Sequence, residues 1–541
     1  MDNRYDVIVI GGGVNGTGIA RDCAMRGIKT LLVEKDDFGA GTTGASSGMI
    51  HGGARYMLHD VETTKKSCLD SGYIQKIAHH LIFRIPFLIP VTSREKFSRI
   101  NLNLIDAYFE AYDKFAVLKG GKPHTRLTKE QALRIEPGLR KDLIGAVTMD
   151  EWGIDSHRLC LLNALSAREH GAAVLKPAEV VGFLIEGRRA KGIRVSDNGG
   201  YREVFAKLIV NASGPWIMNL SRGAGLDVKI RPGKGVHLVF ERRYSNYGVI
   251  AKAVDGRQIF IIPYKNMSLL GTTDDDYYGD PDNQSVTQDE VEYLLQGMES
   301  ALPDIRNYRI ISTTSGIRVT LFEWGKNEDD LSRYHRVFDH EKVEGISGII
   351  SIAGGKLASY RLMSEEATDL ACEKLGINAR CRTHLVPLPG GEEMQDPEEI
   401  GKQYGIPAFV ARRLIARYGA RIHSVMEAGD ATGRSPVCIC ESVLEAEIRY
   451  AVRKEMAKSL LDLSRRTGFG TGPCHGAQCL LRGSWILAEE LKLSIDEMDG
   501  MIQEFLQKTW QKRMPVLNYN QAPQEEMNRF IFQLWRTGHG G

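Results

Sequence analysis

Four cysteines near the C-terminus carry the plainest chemical signal: Cys438 and Cys440 form one close pair, and after 33 intervening residues Cys474 and Cys479 form another. A helical connection can bring two such pairs together, and four thiolates at one place suit either a two-iron two-sulfur cluster or a structural zinc. His475 lies between two of these ligands, but four cysteines already complete the site. At the other end of the chain, Gly11-Gly12-Gly13-Val14-Asn15-Gly16 follows an apolar run and opens a helix-period segment, with Glu34 eighteen residues past the last glycine. Gly11 allows a tight turn, Gly13 lets backbone approach a pyrophosphate, and Gly16 with Ala20 lets helix and strand pack closely. The helix N-terminus then points N–H groups at the phosphates. Glu34 can accept from a ribose 2′-hydroxyl, which favours an unphosphorylated adenosine dinucleotide over NADP.

Positioning these groups requires one βαβ unit over residues 5–34. From there to about residue 385, β-rich runs (Ala173–Leu175, Leu208–Asn211, His237–Phe240, Ile259–Ile262, Ser268–Leu270, Ile349–Ile352) alternate with helical patterns at 288–301 and 363–375. That alternation predicts a large α/β body with antiparallel insertions. Pro387-Leu388-Pro389-Gly390-Gly391 interrupts both periods and reads as a linker. The expected division is an oxidoreductase body over 1–385, a linker and helical segment over 386–436, a four-cysteine domain over 437–485, and a helical tail over 486–541 containing Trp510 and Trp535.

The 541 residues suit about three domains. Lys+Arg against Asp+Glu is 70 to 68, a formal net charge of +2, which excludes the basic surplus of a nucleic-acid-binding chain. The N-terminus runs directly into Val7-Ile8-Val9-Ile10, and no apolar run reaches about 18 residues, so neither a signal peptide nor a membrane span is expected. The expected location is cytoplasmic, or peripheral at the inner face of the cell membrane. Nine cysteines without a secretory signal argue against a disulfide framework. Cys23, Cys68, Cys160, Cys372 and Cys381 read as small buried hydrophobes.

The stretch Gly39-Ala40-Gly41-Thr42-Thr43-Gly44-Ala45-Ser46-Ser47-Gly48 resembles the flavoprotein loop that wraps a pyrophosphate and reaches the isoalloxazine, which turns the dinucleotide reading towards FAD. Continuing through Met49-Ile50-His51-Gly52-Gly53-Ala54-Arg55-Tyr56, it resembles the active-site segment of FAD-dependent glycerol-3-phosphate dehydrogenases, members of the D-amino-acid-oxidase-like flavoproteins. Further matching segments follow in family order: Ile154-Asp155-Ser156-His157-Arg158-Leu159, Val210-Asn211-Ala212-Ser213-Gly214-Pro215-Trp216, Arg231-Pro232-Gly233-Lys234-Gly235-Val236-His237, Gly271-Thr272-Thr273-Asp274, Ser315-Gly316-Ile317-Arg318 and Gly354-Gly355-Lys356-Leu357-Ala358-Ser359-Tyr360-Arg361. Ser213 departs from the usual Thr but keeps the hydroxyl, and Val319 stands where the family usually has Pro.

The resemblance implies a Rossmann-like FAD-binding body of D-amino-acid-oxidase/glutathione-reductase type with an antiparallel β substrate domain, followed by small, mainly helical C-terminal domains. It implies FAD contacts at Gly11, Gly13, Gly16, Glu34, Lys35, Thr42, Thr43, Ser47, Gly48, Ala212, Gly214, Gly355 and Lys356. Substrate contacts carry over to Arg55, Tyr56, His237, Tyr264 and Arg318. Oxidising an alcohol by hydride transfer to flavin N5 needs a base at the hydroxyl, for which His51 and His237 are candidates. Arg55, Arg318 and Lys356 are the cations for a substrate phosphate, and Arg318 or Lys356 can also stabilise charge on the reduced flavin. Catalytic roles are therefore expected at His51, Arg318 and Lys356. The cysteine spacing is similar to that of bacterioferritin-associated-ferredoxin-like domains, which implies iron at Cys438, Cys440, Cys474 and Cys479, with zinc as the lesser alternative.

With that domain fused, the chain resembles the catalytic subunits of the anaerobic branch. This implies oxidation of sn-glycerol 3-phosphate to dihydroxyacetone phosphate and electron-accepting partner subunits leading to a quinone. The rivals are a 2-hydroxy-acid dehydrogenase of the L-2-hydroxyglutarate type and a non-catalytic electron-transfer protein.

Overall fold

The computed structural model describes residues 3–537 apart from 59, 95–96, 198, 327–330, 332–333, 431 and 519–520, and of residues 55 and 534–537 it describes the backbone alone. The side chains of Arg55 and Trp535 thus lie outside the described residues. An eight-stranded sheet runs in the order His335–Asp339, Ile349–Gly354, Gly200–Asn211, Arg4–Ile10, Thr30–Val33, Ala173–Leu175, with the hairpin Glu179–Glu186 and Arg189–Asp197 attached to Gly200–Asn211. The five strands from Ile349–Gly354 to Ala173–Leu175 are mutually parallel. Alternation on the first strand sets the layers: Val7 and Val9 pack with residues of the helices Val14–Met25, Ser156–Glu169 and Tyr360–Leu375, whereas Ile8 and Ile10 pack with Ile193 and Val195 of the hairpin. Asp155 starts the helix Ser156–Glu169 by accepting the Arg158 N–H.

A second sheet of nine strands holds Ile230–Phe240, Met267–Gly271, Gln258–Tyr264, Gly248–Lys252, Ile82–Thr92, Leu143–Ile154 and Thr125–Thr128 in sequence, with Ile310–Leu321 and the short Asp275–Asp276 beside Ile230–Phe240. One face (Val236, Leu238, Phe240, Ile259, Ile261) buries Val291, Leu294 and Met298 of the helix Gln288–Glu299. The opposite face carries Ile85, Phe87, Val239, Ile262, Leu269 and Ile311. All six β-rich runs read from the sequence lie within observed strands. Val319, despite replacing the usual Pro, continues the ladder opposite Pro232.

Beyond residue 395 the chain is mainly helical, with one two-stranded sheet of Pro436–Cys438 and Val443–Leu444; Pro397–Tyr404, Ala408–Tyr418 and Ile422–Glu427 make one small core with Leu444 and Tyr450. Cys438, Val443, Leu463, Phe469, Cys479 and Leu487 share a second core with Met498, Ile502, Phe505 and Phe532, so the cysteine segment and the tail helices bury one another. All nine cysteines are free thiols; Cys23, Cys68, Cys160 and Cys372 are buried and Cys381 half-buried.

Candidate active site

At the C-terminal ends of Arg4–Ile10 and Gly200–Asn211 the sheet order reverses, with Thr30–Val33 to one side and Ile349–Gly354 to the other. Open α/β sheets bind ligands at such a switch point. Gly11 has φ +106, and a Cβ there would stand 2.5 Å from the Ala212 carbonyl oxygen; one on Gly16 would stand 1.9 Å from the Gly11 carbonyl oxygen. Only glycine permits this approach. Glu34 accepts the N–H groups of Gly12 (2.5 Å) and Asp36 (2.7 Å), which fixes its carboxylate against the glycine turn. Burial pushes its carboxyl up to about 7. Gly13 caps the helix Val14–Met25 without a side chain, while Thr43 accepts the Val14 N–H at 3.2 Å. The cradle therefore presents bare backbone, an N-terminal helix end and an oriented acid, which together fit an adenosine pyrophosphate.

Loop 39–48 closes over this cradle and ties it to the second sheet. Thr42 donates to the Ile317 carbonyl oxygen (2.6 Å), and Gly316 lies so close to Ala45 that a Cβ on it would come within 2.7 Å of the Ala45 Cβ. Ser47 is half-buried between Ser46, which donates to the Thr43 carbonyl oxygen, and Gly48, whose φ of +65 lets it pair with Ile154. Gly214 (φ +60) opens the single turn Gly214–Trp216, and Gly355 (φ +82) follows the strand Ile349–Gly354. Lys35 is ion-paired to Asp282 at 2.6 Å and lies 4.0 Å over the Trp216 ring, so its ammonium is directed into this pair.

The segment after the loop brings together three of the expected catalytic or substrate residues. Lys356 Nζ sits 4.0 Å over the Tyr56 ring and donates to Ser67 Oγ (3.3 Å), and the His51 and Tyr56 ring centroids are 6.5 Å apart. The backbone of this segment is held from behind, where Gly52 donates to Glu151, and Glu151 is paired with the fully buried Lys119.

On the second sheet, Gly233 stands opposite Arg318 and His237 opposite Thr314 on paired antiparallel strands, which puts Arg318 and His237 on one face. His237 is buried, and neither ring nitrogen has a hydrogen-bond partner. Burial, and then Arg318, push its pKa down to about 3. Its imidazole is therefore neutral and able to accept from or donate to a small polar molecule. Arg318 donates to the Thr273 carbonyl oxygen and the Thr272 hydroxyl. Tyr264 packs in the cluster that includes Ile262 and Met49, two residues before His51.

Sequence reasoning gave no role to Ser67, to Trp216 with Asp282, or to Thr272 and Asp274 around Arg318. The last two stand in the family-like stretch Gly271-Thr272-Thr273-Asp274, but their convergence on Arg318 depends on a strand turn that no local pattern states.

The four cysteines stand as two pairs. Cys440 Sγ lies 3.5 Å from Cys474 Sγ, and a hydrogen bond from Cys479 holds the Cys438 thiol down to about 6 while pushing the Cys479 thiol up. A Cβ on Gly472 would come within 2.5 Å of the Cys440 Cβ, so this glycine admits the close loop. Among the described residues, no set of three or more His, Cys, Asp or Glu side chains is closed around a single metal position. His475 bonds the backbone of Ile311, and Thr313 donates to the Lys512 carbonyl oxygen, so the cysteine region abuts the strand that carries Arg318.

Residues 6–361 match the family described as FAD dependent oxidoreductase, and residues 381–498 match the C-terminal domain of alpha-glycerophosphate oxidase. The chain is 34% identical over 538 residues to the A-type subunit of the anaerobic glycerol-3-phosphate dehydrogenase of Escherichia coli strain K12, covering 98% of this chain and 96% of that protein. It is 33% identical to the A1-type subunit of the anaerobic glycerol-3-phosphate dehydrogenase of Haloferax volcanii, covering 98% and 90%. The glycerol-3-phosphate dehydrogenase of Bacillus halodurans, solved with FAD, superposes with a TM-score of 0.76 at 26% identity, covering 96% of this chain and 97% of that one.

Proposed function

The chain belongs to the FAD dependent oxidoreductase family, and on that premise we propose that it binds FAD and oxidises sn-glycerol 3-phosphate to dihydroxyacetone phosphate. The observation that carries this reading is the joining of a dinucleotide cradle, through Thr42 and Ile317, to a face bearing Arg318 and a buried, unpartnered His237. The relatives that span nearly the whole chain are glycerol-3-phosphate dehydrogenases.

Bound FAD supplies the acceptor for the hydride that leaves the carbinol carbon. Gly11, Gly13 and Gly16 admit its pyrophosphate, and Glu34 receives the ribose. His51 takes the hydroxyl proton. His237, whose pKa is near 3, is too weak a base for that step and instead holds the substrate by a neutral hydrogen bond. Arg55, Tyr56 and Lys356 receive the phosphate, and Arg318 holds the anionic substrate beside His237. Tyr264 lines the cleft, and loop 39–48 keeps water from its flavin side.

Cys438, Cys440, Cys474 and Cys479 would hold a two-iron two-sulfur cluster, which would supply an electron path towards a quinone-linked partner. Two thiolates on one tetrahedral centre, each about 2.3 Å from it, stand about 3.8 Å apart, and the Cys440–Cys474 separation of 3.5 Å is close to that. Two pairs suit two metal ions better than one zinc. A cluster supplies the one-electron relay that a two-electron flavin needs towards a remote acceptor. Among the described residues no helix is long and apolar enough to cross a membrane, and in this reading partner subunits make the membrane contact.

Assaying the full chain with an artificial electron acceptor tests the activity. Dihydroxyacetone phosphate should form from sn-glycerol 3-phosphate, with no turnover of L-2-hydroxyglutarate; the reverse preference would replace the phosphate reading with the hydroxy-acid one. Replacing Cys438 and Cys440 with Ser should remove iron and cluster absorbance while leaving flavin reduction by substrate intact.

A further inference from the structure

The segments Arg231-Pro232-Gly233-Lys234-Gly235, Gly271-Thr272-Thr273-Asp274 and Ser315-Gly316-Ile317-Arg318 interlock at one point. Arg318 Nη1 donates to the Thr273 carbonyl oxygen at 2.9 Å and Nη2 to the Thr272 hydroxyl at 3.0 Å, while Nη1 lies 3.1 Å from Asp274 Oδ1. The same Asp274 oxygen accepts from Arg231 Nη1 at 3.0 Å, and Arg231 is 3% exposed. Arg257 Nη1 donates to the Asp274 carbonyl oxygen at 2.6 Å, which fixes the backbone that carries the carboxylate. Two glycines make room for this arrangement: a Cβ on Gly233 would stand 2.5 Å from Asp274 Oδ1, and one on Gly235 would stand 2.9 Å from Arg318 Nη2.

An arginine alone on a strand would have to order a long, rotamer-rich side chain whenever it met its ligand. Here three acceptors from consecutive residues fix the guanidinium plane beforehand. The Asp274 carboxylate is not spent on Arg318 alone, because Arg231, which also pairs with Asp276, shares it. An anion entering beside His237 therefore meets a preset guanidinium fork.

We propose that Asp274, supported by Arg231, is the positioning residue that presets Arg318 for the anionic substrate, with Thr272 as the second arm of the clamp. This rests on the functional reading above, in which Arg318 holds that substrate. Asp274 touches neither substrate nor cofactor in this scheme; it acts only through Arg318.

The test is a double-mutant cycle on the full FAD-loaded chain, read as the dissociation constant of dihydroxyacetone phosphate from its perturbation of the flavin spectrum. Asp274→Ala should weaken binding about tenfold or more, the scale of a lost charge-assisted hydrogen bond. In an Arg318→Ala background the same change should have less than about a twofold effect, because the residue it positions is gone. Thr272→Val, which leaves Arg231 and its partners untouched, should weaken binding about threefold in the wild type and have no effect beside Arg318→Ala. It also keeps the test open if Asp274→Ala loses FAD. Multiplicative effects of Asp274 and Arg318, or of Thr272 and Arg318, would overturn the proposal. If the wild-type flavin is bleached by some other alcohol and not by sn-glycerol 3-phosphate, the substrate reading fails separately, and the same cycle, run on that alcohol's oxo product, still decides the role of Asp274.

Discussion

His237 and Arg318 share one face of one sheet, yet their surroundings prepare them for different work. Burial strips His237 of charge, whereas three acceptors hold Arg318 fixed. Arg318→Ala should therefore lower kcat/KM for the alcohol by at least about a hundredfold, the scale of removing a preorganised charged group from a transition-state site. Flavin content should stay unchanged, because the cradle residues Gly11, Glu34 and Thr43 lie on other segments; stopped-flow reduction alongside flavin absorbance reads both. At this scale the sequence was legible wherever a residue type was unusual for its backbone. Gly11 and Gly16 could be read because a side chain there collides with the chain itself. The partnership of Lys35 with Asp282 and Trp216 could not, since it joins residues up to 247 positions apart in sequence through a loop with no periodicity.

Among the elements, loop 39–48 and the strand Ile310–Leu321 meet where Gly316 packs on Ala45 and Thr42 donates to Ile317, so the flavin loop and the substrate sheet are positioned together. Gly316→Val would push the loop away; overpacking of this kind costs about 1–3 kcal/mol. The purified variant should retain roughly tenfold less FAD, measured as flavin per chain, with little change in melting of the cysteine-bearing helices. The parallel core strands and their helices were readable from period and glycine chemistry. The strand Ile82–Thr92 was not, because Pro86 and Pro90 argue against a central strand. It is tolerated because Gly248–Lys252 pairs with it only at Phe87 and Leu88, leaving both prolines outside that ladder. The long strands Leu143–Ile154 and Ile310–Leu321 likewise take their length from partners distant in sequence.

For the whole molecule, buried ion pairs lock the C-terminal helices onto the FAD-binding body. Asp37, three residues past Glu34, accepts Arg466 at 2.6 and 2.7 Å and also pairs with Lys176; Arg158 pairs with Glu455 at 2.7 Å. Burial works to raise the Asp37 carboxyl, but Arg466 and Lys176 hold it well below the usual range. Asp37→Ala leaves the buried Arg466 without its carboxylate, which costs about 3–5 kcal/mol. The C-terminal region should then become sensitive to limited proteolysis before the body does.

Acid should weaken the molecule as a whole. Burial pushes His80, His157 and His237 down to about 3, 4 and 3, while the unfolded chain takes up protons at them near 6.5. Their contribution is present above that pH and is lost as the pH falls. Glu34 and Asp70, pushed up to about 7 and 6, bind protons in the folded state and act in the opposite direction. His475 is likewise pushed down to about 3, so four histidines oppose two carboxyls and stability falls as the pH drops between roughly 6 and 5. Denaturant unfolding at those two values should show this loss, and His80→Gln should lessen it.

Hydride transfer from a phosphorylated secondary alcohol into FAD within this cleft, with the electrons then passing to the cysteine pairs, is tested most directly by anaerobic titration of the purified full chain with sn-glycerol 3-phosphate. Absorbance follows the titration, and iron analysis accompanies it. The flavin band should be fully bleached at about one and a half equivalents, two electrons for the flavin and one for the cluster, with about two irons per chain as a two-iron cluster requires. A flavin that stays oxidised with sn-glycerol 3-phosphate but bleaches with L-2-hydroxyglutarate, or a chain that carries zinc in place of iron, would contradict it.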